Sequence, residues 1–214
     1  DGTKDGGYLT ANWAIYCAKK DLTSISRKFD VNVTFFDGRG GPPARGGGNT
    51  HKFYRSLGQN IDHKQIHLTI QGQTISSNFG FNEAAQFNTE QMFTSGIESH
   101  IFHGDKDDLS LEQEDILHGL AKISKQKYLD FKSHPLFTEY LEEMTPLKYY
   151  GRLNIGSRPA KRKKAAKLKL SDLRAIPFVG SWAQIKQNIP GFYGLGSALA
   201  PSMVPGKIDR CQFY

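Results

Sequence analysis

A glycine-rich loop with two arginines follows directly after a strand-like segment, and it limits the folds open to this chain. Residues 31–36 are β-branched or aromatic at five of six positions, and the loop over residues 37–49 carries Arg39 and Arg45 among glycines. Glycine lets the backbone approach a ligand closely, and a guanidinium binds phosphate or carboxylate through paired hydrogen bonds. Parallel α/β folds place such loops at the carboxyl ends of strands. The segment favours an α/β fold that binds a small anion.

The same loop has a second interpretation. Glycine-rich segments with arginine also occur as flexible linkers and as RNA-binding tracts, and composition alone does not separate these from an anion site. Two Arg-Gly-Gly units are few for an RNA-binding tract. A strand immediately before the loop is more typical of a β/α connection.

The positive charge is concentrated in one segment. The formal net charge is +7, and six of the 28 basic residues are Lys161, Arg162, Lys163, Lys164, Lys167 and Lys169. Without these six, basic and acidic residues nearly balance. A local excess argues against a nucleic-acid partner, because a nucleic-acid-binding domain is basic over a whole surface. A nucleic-acid-binding module that uses the Arg-Gly loop and the basic run is the alternative of another class.

Cysteine usage and hydropathy indicate a cytoplasmic protein. Cys17 and Cys211 are isolated, with no CxxC pair, which favours a reducing compartment. No apolar run reaches the roughly 18 residues of a membrane span, so we expect no membrane partner. The chain starts at Asp1 within a loop-like sequence, and we expect it to be a piece of a longer polypeptide.

Helical and strand-like patterns alternate along the chain, as in parallel β/α units. Helices are predicted over residues 8–29, 50–57, 82–101, 111–133, 137–144 and 181–189. The helix over residues 111–133 starts at the capping-box sequence Ser-Leu-Glu-Gln, residues 110–113. Strands are predicted over residues 31–36, 66–72, 153–156 and 175–179. The helix over 8–29 has two apolar stripes, which predicts packing on both sides.

Three of the four predicted strand ends have an arginine nearby. These residues are Arg39, Arg158 and Arg174. If the strand ends share one rim of a barrel, their guanidiniums converge on one anion pocket. The alternative is that they are surface ion-pair partners, and both interpretations stay open on spacing alone.

Five short segments carry a resemblance to a known family. They are residues 1–7 (DGTKDGG), 36–48 (FDGRGG to RGGG), 68–73 (LTIQGQ), 156–162 (GSRPAKR) and 173–178 (LRAIPF). Their content and order resemble phosphoenolpyruvate carboxylase. The resemblance implies an α/β fold, a helix-rich partial TIM-like (β/α)8 barrel, within a larger and mostly helical enzyme. Residues 1–214 would form part of a single catalytic barrel domain, with a mobile basic loop over 159–170.

The resemblance also implies an activity and its partners. Members of the family condense phosphoenolpyruvate with bicarbonate to give oxaloacetate and phosphate, through carboxyphosphate and the enolate of pyruvate. They use Mg²⁺ or Mn²⁺ and form homotetramers. The isolated chain is expected to be inactive, because the family's other catalytic histidine and its glutamate metal ligand have no match in these 214 residues.

Site residues follow by position within the matching motifs. The site of phosphoenolpyruvate and carboxyphosphate would be lined by Arg39, Arg158 and Arg174. Arg45 would lie at its mouth, at a position linked to feedback inhibition by aspartate or malate. Lys4 would lie beside the reacting groups, and Asp1 would bind the metal, since Mg²⁺ prefers carboxylate oxygen.

One residue departs from the family pattern in a way that affects the chemistry. Asp37 stands where the family has a histidine that takes part in carboxylation. A carboxylate beside carboxyphosphate is unfavourable unless it pairs with Arg39, Arg45 or the metal, or is protonated. While ionised it accepts hydrogen bonds and donates none. We expect either a catalytic Asp37 in a working carboxylase or a member with altered or lost carboxylation.

Overall fold

A computed structural model describes residues 2–39, 48–62, 65–70, 73–101, 108–150 and 168–200, without the side chains of Arg39, Gln73, Ser99, His100 and Tyr150. The chain divides into two compact units, residues 12–114 and residues 1–11 with 115–214. Most described residues are helical, and two strands form a parallel sheet. This agrees with the predicted α/β class. The partial barrel and the single domain stay predictions.

Eleven α-helices and two strands occur in the described residues. In chain order they are α1 (Gly2–Gly6), α2 (Tyr8–Lys28), β1 (Phe35–Arg39), α3 (Thr50–Arg55), β2 (Ile66–Ile70), α4 (Gln73–Phe79), α5 (Asn82–Ile101), α6 (Leu111–Lys132), α7 (Phe137–Glu143), α8 (Leu147–Tyr150), α9 (Ala175–Gln184), α10 (Ile189–Phe192) and α11 (Leu195–Leu199). A 3₁₀ turn covers Leu170–Asp172. None of these described helices is long and apolar enough to cross a membrane.

The parallel sheet fixes the position of the first candidate residues. β1 pairs with β2 from Phe35 opposite Ile66 to Arg39 opposite Ile70. The strand therefore begins later than the predicted residue 31 and extends into the predicted loop. The reason is that a strand is defined by its partner, and β2 offers hydrogen bonds only from Ile66 onward. Asp37 consequently lies within a strand rather than on a loop.

The core of residues 12–114 forms around α3. Tyr54, Leu57 and Ile61 are buried there, and Phe35 and Ile66 from the two strands pack against them. The predicted cap of α3 is confirmed, because the Asn49 side chain accepts a hydrogen bond from the backbone N–H of Lys52 at 3.0 Å.

The second apolar stripe of α2 does not pack within the described residues. Its members, Ile15, Leu22, Ile25 and Phe29, are all about half exposed or more. The helix instead packs through the stripe that contains Tyr16, which contacts the α3 core. The prediction of packing on both sides is therefore not met by the described part of the chain.

The predicted strand over residues 175–179 is wrong, because these residues form the first half of α9. Pro177 lies in the first turn, where backbone N–H groups have no partner within the helix, so the missing N–H of proline costs little. Phe178 and Trp182 are buried on one face of the helix. A short apolar run does not distinguish a strand from a buried helix. The predicted helix over 181–189 correspondingly ends at Gln184, and the strand predicted over 153–156 lies outside the described residues.

The helices after residue 115 pack through aromatic side chains. Phe131 of α6 stacks on Tyr193 with ring centroids 4.3 Å apart and meets Phe137 of α7 edge to face at 5.0 Å. Trp182 of α9 lies 5.9 Å from Phe137. These contacts join α6, α7 and α9.

The capping box of α6 is confirmed by two reciprocal hydrogen bonds. The Ser110 N–H donates to Gln113 Oε1 at 2.9 Å, and the Gln113 N–H donates to Ser110 Oγ at 3.2 Å. We predict that Ser110→Ala destabilises the first turn of α6 by about 1 kcal/mol. Hydrogen exchange of the amides of Gln113 and Glu114, which both donate to Ser110, should then be about fivefold faster. Ser133→Ala, beyond the other end of α6, is the control and should leave that exchange unchanged.

Candidate functional site

Asp37 is held in a buried ion pair on β1. The Lys19 Nζ donates to both carboxylate oxygens, at 2.7 and 2.8 Å, and the Tyr54 hydroxyl donates to Oδ2 at 3.1 Å. The side chains of Lys19 and Asp37 are only 8% and 11% exposed. The carboxylate at this position therefore accepts three hydrogen bonds from two side chains, one on α2 and one on α3.

Two aromatic rings lie close to the Lys19 ammonium. Its Nζ lies 5.2 Å from the ring centroid of Phe35 and 5.8 Å from that of Phe53. Aromatic faces attract cations, and the Asp37 carboxylate supplies the compensating charge. The sequence led us to expect Arg39, Arg45 or a metal as the partner of Asp37, whereas the described structure supplies Lys19.

The sequence motifs did not identify Lys19 as a site residue, although its spacing on α2 contains a signal. It lies three residues after Tyr16 and four residues before Thr23, so all three share one face of α2. Thr23 is fully buried and Tyr16 is partly buried. A lysine at helical spacing between two residues of the packed face indicates a buried cation that needs an acidic partner.

Arg39 is the last residue of β1, two residues after Asp37. Its backbone is therefore placed at the carboxyl end of the strand, as the sequence predicted. Its side chain and the whole of Arg45 lie outside the described residues. Their roles in anion binding stay predictions.

Lys4 is fixed by contacts within residues 1–11 and 115–214. Its Nζ donates to the Leu170 carbonyl at 3.1 Å and lies 3.3 Å from the Asp5 carboxylate. Its own carbonyl accepts hydrogen bonds from the Tyr128 hydroxyl at 3.0 Å and from Lys132 Nζ at 2.8 Å. Lys4 is thereby tied to α6 and to the turn that precedes α9.

Burial shifts the pKa values of the two groups that donate hydrogen bonds to the Lys4 carbonyl. It raises the pKa of the Tyr128 hydroxyl, and the charge of Asp5 raises it further. Burial lowers the pKa of the Lys132 ammonium. The negative charge of Asp5 opposes this shift, and the positive charge of Lys4 adds to it. Tyr128 is therefore a neutral hydrogen-bond donor at physiological pH.

Arg174 presents a buried donor that lacks a partner among the described residues. It is the N-cap residue of α9, four residues after Leu170. Its Nε is buried and has no hydrogen-bond acceptor in the described part of the chain. Buried guanidinium donors are normally satisfied, and a bound anion supplies acceptors of the right charge. Lys4 and Arg174 belong to one compact unit, and Lys4 contacts the Leu170 carbonyl, four residues before Arg174.

The remaining candidates lie outside the described residues. Arg158 and the basic loop over 159–167 are among them, and so is Asp1. Within the described ranges, no three His, Cys, Asp or Glu side chains are grouped so that they could hold a metal ion. The described residues alone therefore do not form the metal site expected at Asp1.

A separate pocket of about 710 Å³ lies on β2 and α5. Its lining is mainly apolar, with Ile66, Leu68, Met92 and Phe93 among its residues. An apolar lining does not suit a small, highly charged anion. The pocket is therefore not where we expect the anion to bind.

Comparison with known proteins supports the motif-based resemblance. The sequence model of the family described as phosphoenolpyruvate carboxylase matches residues 1–209. A phosphoenolpyruvate carboxylase from Corynebacterium diphtheriae is 39% identical over 212 residues, which cover 98% of this chain and 23% of that protein. Those from Nocardia farcinica and Mycobacterium leprae are 38% and 35% identical, with the same 23% of their length covered and 98% and 99% of this chain. The chain thus spans about 23% of the length of these relatives.

Proposed function

Because the chain belongs to the phosphoenolpyruvate carboxylase family, we propose that the protein carrying it is a carboxy-lyase that condenses phosphoenolpyruvate with bicarbonate. The products are oxaloacetate and phosphate. The structural observation that carries this proposal is the buried Nε of Arg174, which lacks an acceptor among the described residues. An anionic substrate supplies that acceptor.

Arginine suits this reaction because every participant is an anion. Negative charge moves from phosphoenolpyruvate to carboxyphosphate and to the enolate of pyruvate, and preorganised donors stabilise it where it develops. Arg174 binds these groups in our proposal, together with Arg39 and Arg158. Lys4, whose position is fixed through Leu170, adds a further positive charge to its own unit.

The carbon–carbon bond forms after phosphate transfer. Bicarbonate oxygen attacks the phosphorus of phosphoenolpyruvate, which leaves the enolate and carboxyphosphate. Carboxyphosphate then yields carbon dioxide and phosphate, and the enolate carbon attacks the carbon dioxide. Mg²⁺ or Mn²⁺ would supply charge stabilisation, with Asp1 as one ligand. By atom balance, one bicarbonate oxygen ends in phosphate and two in oxaloacetate.

Asp37 supports a second candidate function. Three hydrogen bonds, two of them from Lys19, occupy this carboxylate at the position of the family histidine. An ionised carboxylate accepts hydrogen bonds and does not donate one to an anion. A protein that binds phosphoenolpyruvate and transfers its phosphate, but has altered or lost carboxylation, is therefore the alternative.

Further properties of the whole protein follow from the family and stay proposals. We infer a cytoplasmic homotetramer with a feedback site for aspartate or malate near Arg45. We also infer that the basic loop over 159–170 is a solvated segment that draws anionic substrate toward the site. The concentration of charge in that loop does not favour a nucleic-acid partner.

The test is the fate of labelled bicarbonate. The natural full-length protein should transfer ¹³C from bicarbonate into oxaloacetate, trapped as malate by malate dehydrogenase, when phosphoenolpyruvate and Mg²⁺ are present. With ¹⁸O-bicarbonate, one labelled oxygen should appear in each phosphate. The 214-residue chain alone is the control and should form no oxaloacetate, because it spans only 23% of its relatives' length. Absence of label from the full-length reaction would contradict the proposal.

A further inference from the structure

We propose that Lys19 is a positioning residue of the anion site, whose ammonium neutralises Asp37 so that an anionic substrate can bind beside a carboxylate. This inference rests on the proposed function. The evidence is the paired contact of Lys19 Nζ with both oxygens of Asp37, at 2.7 and 2.8 Å. Neither side chain is more than 11% exposed, so solvent does little to screen either charge.

Asp37 lies close enough to the proposed anion site for its charge to affect anion binding. It lies two residues before Arg39, at the carboxyl end of β1, where the glycine-rich loop begins. Strand residues rise about 3.3 Å each, so the two positions are roughly 7 Å apart along the strand. At that separation in a poorly solvated site, an unpaired carboxylate would strongly oppose the binding of phosphate or carboxylate groups.

Lys19 is built into the fold for this contact. Its ammonium lies within 6 Å of the ring centroids of both Phe35 and Phe53. Tyr54 completes the set of donors to Asp37 but carries no charge. The positive charge that balances Asp37 in the described structure therefore comes from Lys19, and the pair acts as a neutral unit.

The pair predicts opposite effects for removal of its two charges. In the natural full-length protein, Lys19→Met should leave Asp37 unpaired and raise the KM for phosphoenolpyruvate at least tenfold, with kcat per folded molecule changed less than threefold. Asp37→Asn should leave the ammonium unpaired and lower that KM about threefold or more. The double variant should return KM to within threefold of the original value.

These KM values separate positioning from a merely structural role. A structural role reduces the amount of folded enzyme and hence the maximal rate, but it leaves the KM of the folded fraction unchanged. Lys20→Met is the matched control. It removes the next lysine of α2, which forms an ion pair with Glu114 of α6. We expect the KM of this control variant for phosphoenolpyruvate to stay within twofold of the original value. If Lys19→Met does not fold, Asp37→Asn and the double variant still give the sign of the effect.

A second readout does not depend on turnover. Inorganic phosphate should raise the thermal unfolding midpoint of the full-length protein, less for Lys19→Met and more for Asp37→Asn. If the protein binds phosphate with these opposite changes but forms no product from phosphoenolpyruvate, the proposed function fails and the role of Lys19 stands. Equal or same-direction changes of KM and of phosphate protection in the two single variants would overturn the role of Lys19.

Discussion

Replacing Arg174 by alanine should lower kcat/KM for phosphoenolpyruvate by about 10²–10³-fold in the natural full-length protein. The buried Nε has no acceptor in the described part of the chain, and we propose that a bound anion supplies one. Its removal deletes charge-assisted hydrogen bonds that strengthen as charge develops on the transferring phosphate. Steady-state kinetics at saturating bicarbonate and Mg²⁺ measure the effect.

Two variants define what the arginine contributes. Arg174→Lys keeps the charge but loses the planar fork, so it should recover only part of the lost activity, to about tenfold below the original. Arg55→Ala removes a half-exposed arginine that pairs with Glu98, and it should change kcat/KM less than twofold. An Arg174→Ala protein with kcat/KM within threefold of the original would show that this guanidinium does not bind substrate.

Restoring the family histidine at position 37 should damage the protein rather than improve it. Asp37→His removes the negative charge that balances the buried Lys19. Breaking a buried ion pair by removing one partner destabilises a protein by roughly 3–5 kcal/mol. We expect a lower thermal unfolding midpoint and at least a tenfold lower rate of oxaloacetate formation. Asp21→His on the exposed face of α2 is the control and should change neither quantity.

The double variant Lys19→Met/Asp37→His shows whether the broken ion pair causes the loss of stability in Asp37→His. It removes the buried ammonium together with its partner, so it should regain much of the stability that Asp37→His loses. A single Asp37→His protein that forms oxaloacetate faster, with unchanged stability, would contradict the role assigned to the pair. It would support the alternative in which the aspartate itself weakens carboxylation.

Local sequence signals predicted much of the secondary structure. The capping residues Asn49 and Ser110 mark the starts of α3 and α6, and β2 ends at Ile70, just before Gly72. These predictions succeed because a cap or a glycine acts within a few residues of itself. The apolar run from Ala175 was misread as a strand, because burial on several sides removes the periodicity that distinguishes helix from strand.

The candidate site was predicted only in part, and for a physical reason. Motif positions pointed to Lys4 and Arg174, and the structure places both in one compact unit. The Lys19–Asp37 pair was not predicted, because the contact depends on how α2 packs against β1. Eighteen residues separate the two in sequence, and no local rule fixes that packing.

One measurement tests the central claim most directly. The natural full-length protein would be supplied with phosphoenolpyruvate, bicarbonate and Mg²⁺, and oxaloacetate and phosphate would be quantified in the same reaction. Our account predicts equal rates of formation, because one phosphate is released for each carbon–carbon bond formed. Release of phosphate without oxaloacetate, or no turnover at all, would contradict the assignment of this protein as a working phosphoenolpyruvate carboxylase.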